Sequence, residues 1–330
     1  MRAKPFALVL ITLAAGLFAG TVFANLVIDP QEVFATGFFP HPPNANTRYL
    51  HYLAYRREAS QVDALLFASS RGGAFDRDLL ARRMGAHLVA DFGFPFGLLS
   101  DYLPFLEYVV RDKASRQERV RAVLLVIDVD HFGKAPWTNV NIDSMLPPAV
   151  SGEGALSFWW RYLTAFQYHN WRLTLRRRVA VEAAIPASAH PQGAQPIPAR
   201  GWEPQAGSAR PRGAQPIPPR PDFRQQLALL RRFSRVCRDH DIALMVATSP
   251  LSLPNAQGLD AAELRAVIGE IANVVPVWDF SAPSALSVRA DLWLDQSHFG
   301  QAIGAMMLDR MYLGRGDPDF GRLLGPYQSW

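Results

Sequence analysis

The sequence predicts an α/β protein: a five-stranded parallel sheet between two layers of helices, preceded by one N-terminal transmembrane helix. Three observations carry that prediction. Five short apolar runs alternate with stripes of apolar residues at helical spacing. The run from Val120 to Val129 is nearly continuous in apolar residues, as strands covered on both faces are. Residues 5–28 form an uncharged, apolar stretch.

In chain order, Arg2 and Lys4 precede that stretch. As a helix it is about 36 Å long, enough to cross a hydrocarbon core of about 30 Å. The basic flank favours a cytoplasmic N-terminus and places the chain after Asp29 on the far side of an inner membrane, in the periplasm or outside the cytoplasm. Val22-Phe23-Ala24 resembles a small-x-small cleavage site, but the run stays apolar beyond it, which favours an uncleaved anchor.

Asp63 to Ser69 reads as a buried strand that runs into the turn Ser70-Arg71-Gly72-Gly73, and Phe75 to Met84 as a short helix. His87 to Phe92 is a second strand closed by Gly93 and Pro95. Leu98 to Val110 carries a helical stripe, and Val120 to Val129 is the third strand. The alternation resumes with a helix from Phe223 to Cys237, a strand from Ile242 to Thr248, a helix from Leu259 to Ile271, a strand from Val274 to Trp278 and a last helix over 303–311. Cys237 falls on a buried stripe and reads as core.

The gap at about 131–222 has two parts. Aromatic residues between Phe158 and Trp171 predict a helix packed on the body of the protein, in preference to the bilayer surface. From Ile185 to Pro221 the chain is rich in Pro, Gly, Ala and Arg, and Gly193-Ala-Gln-Pro-Ile-Pro-Ala-Arg200 returns as Gly213-Ala-Gln-Pro-Ile-Pro-Pro-Arg220. Such composition predicts an extended loop without a core. The expected organisation is therefore an anchor over 1–28 and one α/β domain over 29–330, interrupted by this insertion.

Composition sets the outer limits. A 330-residue chain that is 49% hydrophobic and 19% charged is not a disordered or fibrous protein. Its single cysteine excludes an intrachain disulfide and any multi-cysteine metal site. The net charge of +5 is regional: residues 171–238 hold thirteen arginines against Glu182, Glu203 and Asp222. That pattern describes a solvated, Arg-rich insertion, or a surface for anionic glycan or lipid headgroups, and with no recognisable nucleic-acid module it predicts no nucleic-acid partner. The histidines show no metal-ligand spacing, and there is no phosphate loop or dinucleotide fingerprint, so no metal or cofactor is expected.

Reactive groups in an open α/β sheet gather at the carboxyl ends of the strands, where loops converge and free backbone N–H groups meet developing negative charge. Ser69 and Ser70 end the first strand. A serine there brings its own N–H as an oxyanion donor and needs a base. His298 stands just before the last helix, three residues after Asp295. At that spacing the carboxylate can hold the ring nitrogen that faces away from the serine, or it can simply cap the helix.

Phe67-Ala-Ser-Ser70, the pair Gly93/Gly97 and Asp295-x-x-His298 resemble the SGNH (GDSL-like) hydrolase superfamily. The chain looks most like its membrane-anchored relatives of bacterial exopolysaccharide loci, over about 29–130 and 223–312. The resemblance implies a flavodoxin-like three-layer αβα sheet with Ser70 as nucleophile, His298 as base and Asp295 as its orienter. The oxyanion donors would be the N–H groups of Ser70 and Gly97, with Gly93 as the weaker alternative for the second. Arg71, beside Ser70, can bind a carboxylate or sulfate of a substrate or can stabilise the turn. Two departures stand out. Ala68 replaces a glycine, and the Gly-x-Asn-Asp block after the third strand reads Val126-Ile-Asp128-Val-Asp130, which removes a side-chain donor unless Asn139 or Asn141 folds back to replace it. The implied activity is that of a serine esterase or O-acyl(acetyl)transferase on cell-envelope polysaccharide or another acylated small substrate. The alternative is a non-catalytic glycan-binding or assembly protein of a polysaccharide export system, with envelope assembly partners.

Overall fold

The computed structural model describes residues 3–40, 45–132, 142–184 and 222–325. The chain divides into two compact units, Met1–Leu53 with Trp137–Pro196, and Ala54–Pro136 with Ile197–Trp330. The predicted loop at 185–221 lies outside the described residues.

The first unit is built on α1 (Ala3–Ile28), which contains the apolar segment Pro5–Ile28, long and apolar enough to cross a membrane. The amphipathic helix α2 (Thr47–Glu58) starts in this unit and runs across the boundary. The strands and helices of the second unit begin after it, with β1 (Ala64–Ala68), α3 (Arg77–Met84), β2 (Val89–Gly93), α4 (Leu99–Ser115) and β3 (Ala122–Ile127). In the first unit the short α5 (Pro148–Ser151) precedes the aromatic stretch, which falls on α6 (Ala155–Thr164) and the start of α7 (Tyr168–Ala184), and both α6 and α7 pack against α1. The rest of the second unit is α8 (Phe223–Asp239), β4 (Ala243–Thr248), α9 (Leu253–Gln257), α10 (Ala261–Ala272), β5 (Val277–Asp279), α11 (Gln301–Leu313) and β6 (Arg322–Leu324).

The sheet order is β2-β1-β3-β4-β5-β6. The first five strands in this order are parallel and β6 is antiparallel to β5. The expected five-stranded, all-parallel sheet is therefore corrected to a mixed sheet of six. A three-residue edge strand of Arg322, Leu323 and Leu324 is too short to show a period, which is why the sequence did not announce it.

Residues alternate across β1, as the period of two in a strand requires. Leu66 and Ala68 face a core shared with Leu80 of α3 and with Ile303, Met307 and Met311 of α11. Phe67 faces the other side, where its ring stacks on Phe92 and meets Tyr102 of α4 and Phe233 of α8 edge-on or tilted. Burying each such Leu or Phe contributes about 1.5–3 kcal/mol. Helices thus cover both faces, and β1 is fully buried between them. The helix expected from Phe75 begins at Arg77 instead: Asp76 accepts from the Leu79 N–H as its cap, and the preceding residues, Ser70–Ala74, wind as a short 3-10 turn.

Candidate active site

The 3-10 turn Ser70–Ala74 follows β1 directly, and it gives the two adjacent serines different environments. Ser69 is buried and its hydroxyl accepts from the Arg71 N–H, capping the turn. Ser70 is exposed at the carboxyl end of the sheet. Its N–H opens the turn and so has no acceptor within it.

The loop between β5 and α11 brings in the other two residues. Its ends are pinned: Gly300 N–H donates to Leu292 O at 2.8 Å, Leu294 N–H to His298 O at 2.8 Å, and the Trp293 indole to Leu286 O at 3.0 Å. The Ser252 hydroxyl holds the middle of the loop through Gln296 O at 2.6 Å. Within it, the Asp295 carboxylate accepts from the N–H groups of Ser297 and His298 and lies 2.8 Å from His298 Nδ1. The opposite ring nitrogen, Nε2, is 2.9 Å from Ser70 Oγ. Nδ1–H donating to the carboxylate leaves Nε2 free to accept from the serine hydroxyl. Burial alone would raise the Asp295 carboxyl, but the Ser297 N–H, the His298 ring and the His298 N–H outweigh it and hold it below the usual carboxylate range. The turn that carries Ser70 packs closely on the helix after His298: Gly304 of α11 lies so close to the Ala74 carbonyl that a Cβ there would collide with it. Phe75 and Phe299 also meet edge to face.

Arg71 is turned into the protein. Its side chain is 3% exposed and points inward rather than toward a substrate. Nε donates to Ser297 O at 2.8 Å, Nη1 and Nη2 form a two-pronged pair with Asp130 at 2.9 Å each, and Nη1 lies 3.2 Å from Asp128. Asp128 in turn accepts from the Ser249 hydroxyl. Burial on its own would lower the guanidinium pKa, but the two carboxylates outweigh it and keep Arg71 charged. Burial likewise pushes Asp130 up, and its bonds to Arg71, helped by His131, hold it below the ordinary range. Asp128, Asp130 and His131 bring ligand-type atoms within 4.8 Å of one another, but the cation lying on the two carboxylates is the guanidinium.

The two glycines expected to give the second oxyanion N–H both donate inside the protein. Gly97 N–H donates to Phe94 O at 2.9 Å, closing a turn in which Phe96 takes a φ of 53°, and the alternative Gly93 N–H is taken by Asp91 at 2.8 Å. Glycine stands at 97 for packing, since a side chain there would run into the Tyr102 ring. Asn139 and Asn141 lie outside the described residues.

Sequence reasoning therefore missed the Arg71 clamp, although a signal existed. Phe67 of β1 is in register with Leu125 of β3, so the residues just past each strand end meet. An arginine four residues beyond Phe67 and aspartates three and five beyond Leu125 point at one another from adjacent parallel strands. Beside the loop, a groove of about 240 Å³ is lined by Leu253, Pro254, Val288, Trp293 and Asp295. The sequence matches no family model and no curated protein.

Proposed function

We propose that this chain is a membrane-tethered serine acyl hydrolase or acyltransferase of the SGNH-like type, with its α/β unit outside the cytoplasm. The observation that carries the reading is the relay from Ser70 Oγ to His298 Nε2, 2.9 Å, and from His298 Nδ1 to Asp295, 2.8 Å, opening on solvent at the carboxyl end of β1. In that relay His298 takes the Ser70 proton as Oγ bonds to an ester carbonyl carbon. The Ser70 N–H meets the oxygen that becomes negative. Collapse of the tetrahedral adduct breaks the ester C–O bond, and the departing alkoxide takes the proton from His298. The acyl-serine is then released by the same steps in reverse, to water in an esterase or to a sugar hydroxyl in a transferase. Asp295 holds the ring in the tautomer this needs and stabilises the imidazolium. An O-acetylated or O-acylated envelope polysaccharide as substrate rests on the family resemblance alone. Extracytoplasmic placement rests on the charges of Arg2 and Lys4 ahead of the apolar segment.

One observation favours the second reading, a glycan-binding or assembly protein without turnover. Both glycines that were candidates for the second oxyanion N–H already donate within the protein, and losing one such donor costs about a hundredfold or more in rate. Labelling with a fluorophosphonate probe separates the two, since it needs no known substrate. An enzyme is labelled at Ser70, and Ser70→Ala abolishes the label while leaving the melting temperature within about 2 °C, because one exposed hydroxyl contributes little stability. Equal labelling of wild type and Ser70→Ala would refute the assignment of the nucleophile. Wild type that never labels would give the binding reading precedence.

A further inference from the structure

The first unit carries a second apolar surface besides α1. On α6, Phe158 and Tyr162 point inward, Phe158 stacking on Tyr49 in a small core with Met145. The opposite face leaves Leu156 80%, Trp159 43% and Trp160 63% exposed, and Phe166 just beyond the helix is 66% exposed. No charged side chain on α6 interrupts this face except Arg161, which is paired with Glu153.

The depth of α6 along α1 says what covers it. Residues 5–20 of α1 are bare along their whole length, whereas Thr21 and Asn25 are buried. Sixteen residues of helix span about 24 Å, less than the roughly 30 Å of a hydrocarbon core. A membrane crossed by α1 must therefore reach past Gly20 into the part of the helix wrapped by α6 and α7. The Trp160 ring lies 5.9 Å from the ring of Phe18, inside the bare stretch, so the exposed face of α6 sits at membrane depth. Asn25 fixes this arrangement. Its amide donates to the carbonyls of Tyr162, Leu163 and Ala165 at the end of α6, and its oxygen accepts from Gln167 and from the Trp171 indole of α7. A fully buried amide with all these partners locks the depth of α6 against α1.

We propose that α6 and the start of α7 form an interfacial shelf inserted in the outer leaflet of the same bilayer that α1 crosses. Leu156, Trp159, Trp160 and Phe166 enter the boundary of the acyl chains, while Tyr168 and the exposed Arg172 and Arg176 meet the headgroups. Trp, Tyr and Arg together are the composition of a membrane interface. The same network makes the end of α1 a structural part of the unit, which agrees with an uncleaved anchor. The inference rests on α1 crossing the membrane and is independent of the chemistry at Ser70.

The test uses the full chain in proteoliposomes of phosphatidylethanolamine and phosphatidylglycerol. In a Cys237→Ala background, which removes the only cysteine, a nitroxide is placed singly at Leu13→Cys, Leu156→Cys and Trp160→Cys. Collision with oxygen is then compared with collision with a water-soluble nickel chelate. Leu13 reports whether α1 is inserted. The expected result is oxygen-dominated relaxation at all three sites, with Leu156 and Trp160 shallower than Leu13. A lipid signal at Leu13 with nickel-dominated relaxation at both 156 and 160 overturns the shelf and leaves the anchor standing. A nickel-dominated signal at Leu13 itself removes the membrane span and the shelf with it.

Discussion

Replacing Arg71 with methionine keeps the volume of the side chain and removes its charge. The structure sets the consequence. The guanidinium is 3% exposed and satisfies both oxygens of Asp130, one of Asp128 and the carbonyl of Ser297. Asp128 and Asp130 have side chains only 6% and 14% exposed, so the variant leaves two nearly dry carboxylates side by side with the His131 ring, 3.7 Å from Asp130, as their remaining basic neighbour. Breaking a buried pair in this way costs about 3–5 kcal/mol. For a folded unit of this size each kcal/mol moves the midpoint by about 2–4 °C, so the melting temperature should fall by roughly 6–20 °C.

A second readout separates stability from positioning. Arg71 follows Ser70 directly and holds Ser297 O next to His298, so its loss loosens the 2.9 Å contact between Ser70 and His298. Probe labelling should fall about a hundredfold, the scale on which misplacement by about 1 Å acts. The triple variant Arg71→Met, Asp128→Asn, Asp130→Asn removes the stranded charges and should recover at least half of the lost melting temperature while labelling stays low. Calorimetry and fluorophosphonate labelling on the same preparations supply both numbers. An Arg71→Met protein that melts within about 3 °C of wild type and labels at the same rate would refute the claim that this clamp holds the site.

Asp295→Asn leaves the base in place but can turn the ring to the wrong tautomer, and labelling should drop by two to about four orders of magnitude with little change in melting. Asp130 has a depressed folded pKa, so it contributes stability that is fully present above the ordinary carboxylate value of about 3.9 and is lost as the pH falls below it, through the folded value. Melting curves from pH 6 to pH 2.5 should therefore show wild type losing more stability below about pH 4 than Asp130→Asn, and parallel curves would contradict the assignment. Gly304→Ala forces a methyl group against the Ala74 carbonyl and should cost about 1–3 kcal/mol in a denaturant melt. Because that contact sets the distance between the Ser70 turn and α11, labelling should fall as well.

What could be read from the chain alone followed the range of the interaction. Strands β1 and β3 are runs of apolar residues bounded by turn signals, and burial on both faces makes such runs visible without any knowledge of neighbours. The Asp295-x-x-His298 spacing was legible for the same reason, since a three-residue turn lets the carboxylate meet both the His298 N–H and its ring. The role of Gly97 was not legible, because a glycine announces only that a side chain is excluded. The sequence does not say whether a ligand or, as here, the Tyr102 ring excludes it. Helix α2 was missed because its buried face is made of tyrosines: Tyr49, Tyr52 and Tyr55 recur every three residues, yet the segment is polar on average.

The Arg71 clamp and the Asn25 hub show the other limit. Each gathers partners from distant segments, Asp130 lying 59 residues from Arg71 and Trp171 lying 146 from Asn25. No local pattern links them. Both were nonetheless marked by an energetic contradiction that can be read from sequence: an arginine just past a buried strand end, and a primary amide in a segment otherwise fit for lipid. A charged or amide group in such a place must find partners or cost several kcal/mol. For Arg71 the register of neighbouring parallel strands narrows the partners to the residues after β3. For Asn25 no strand ladder among the described residues ties α1 to α6 and α7, and only the folded chain shows that the amide binds those two helices to α1.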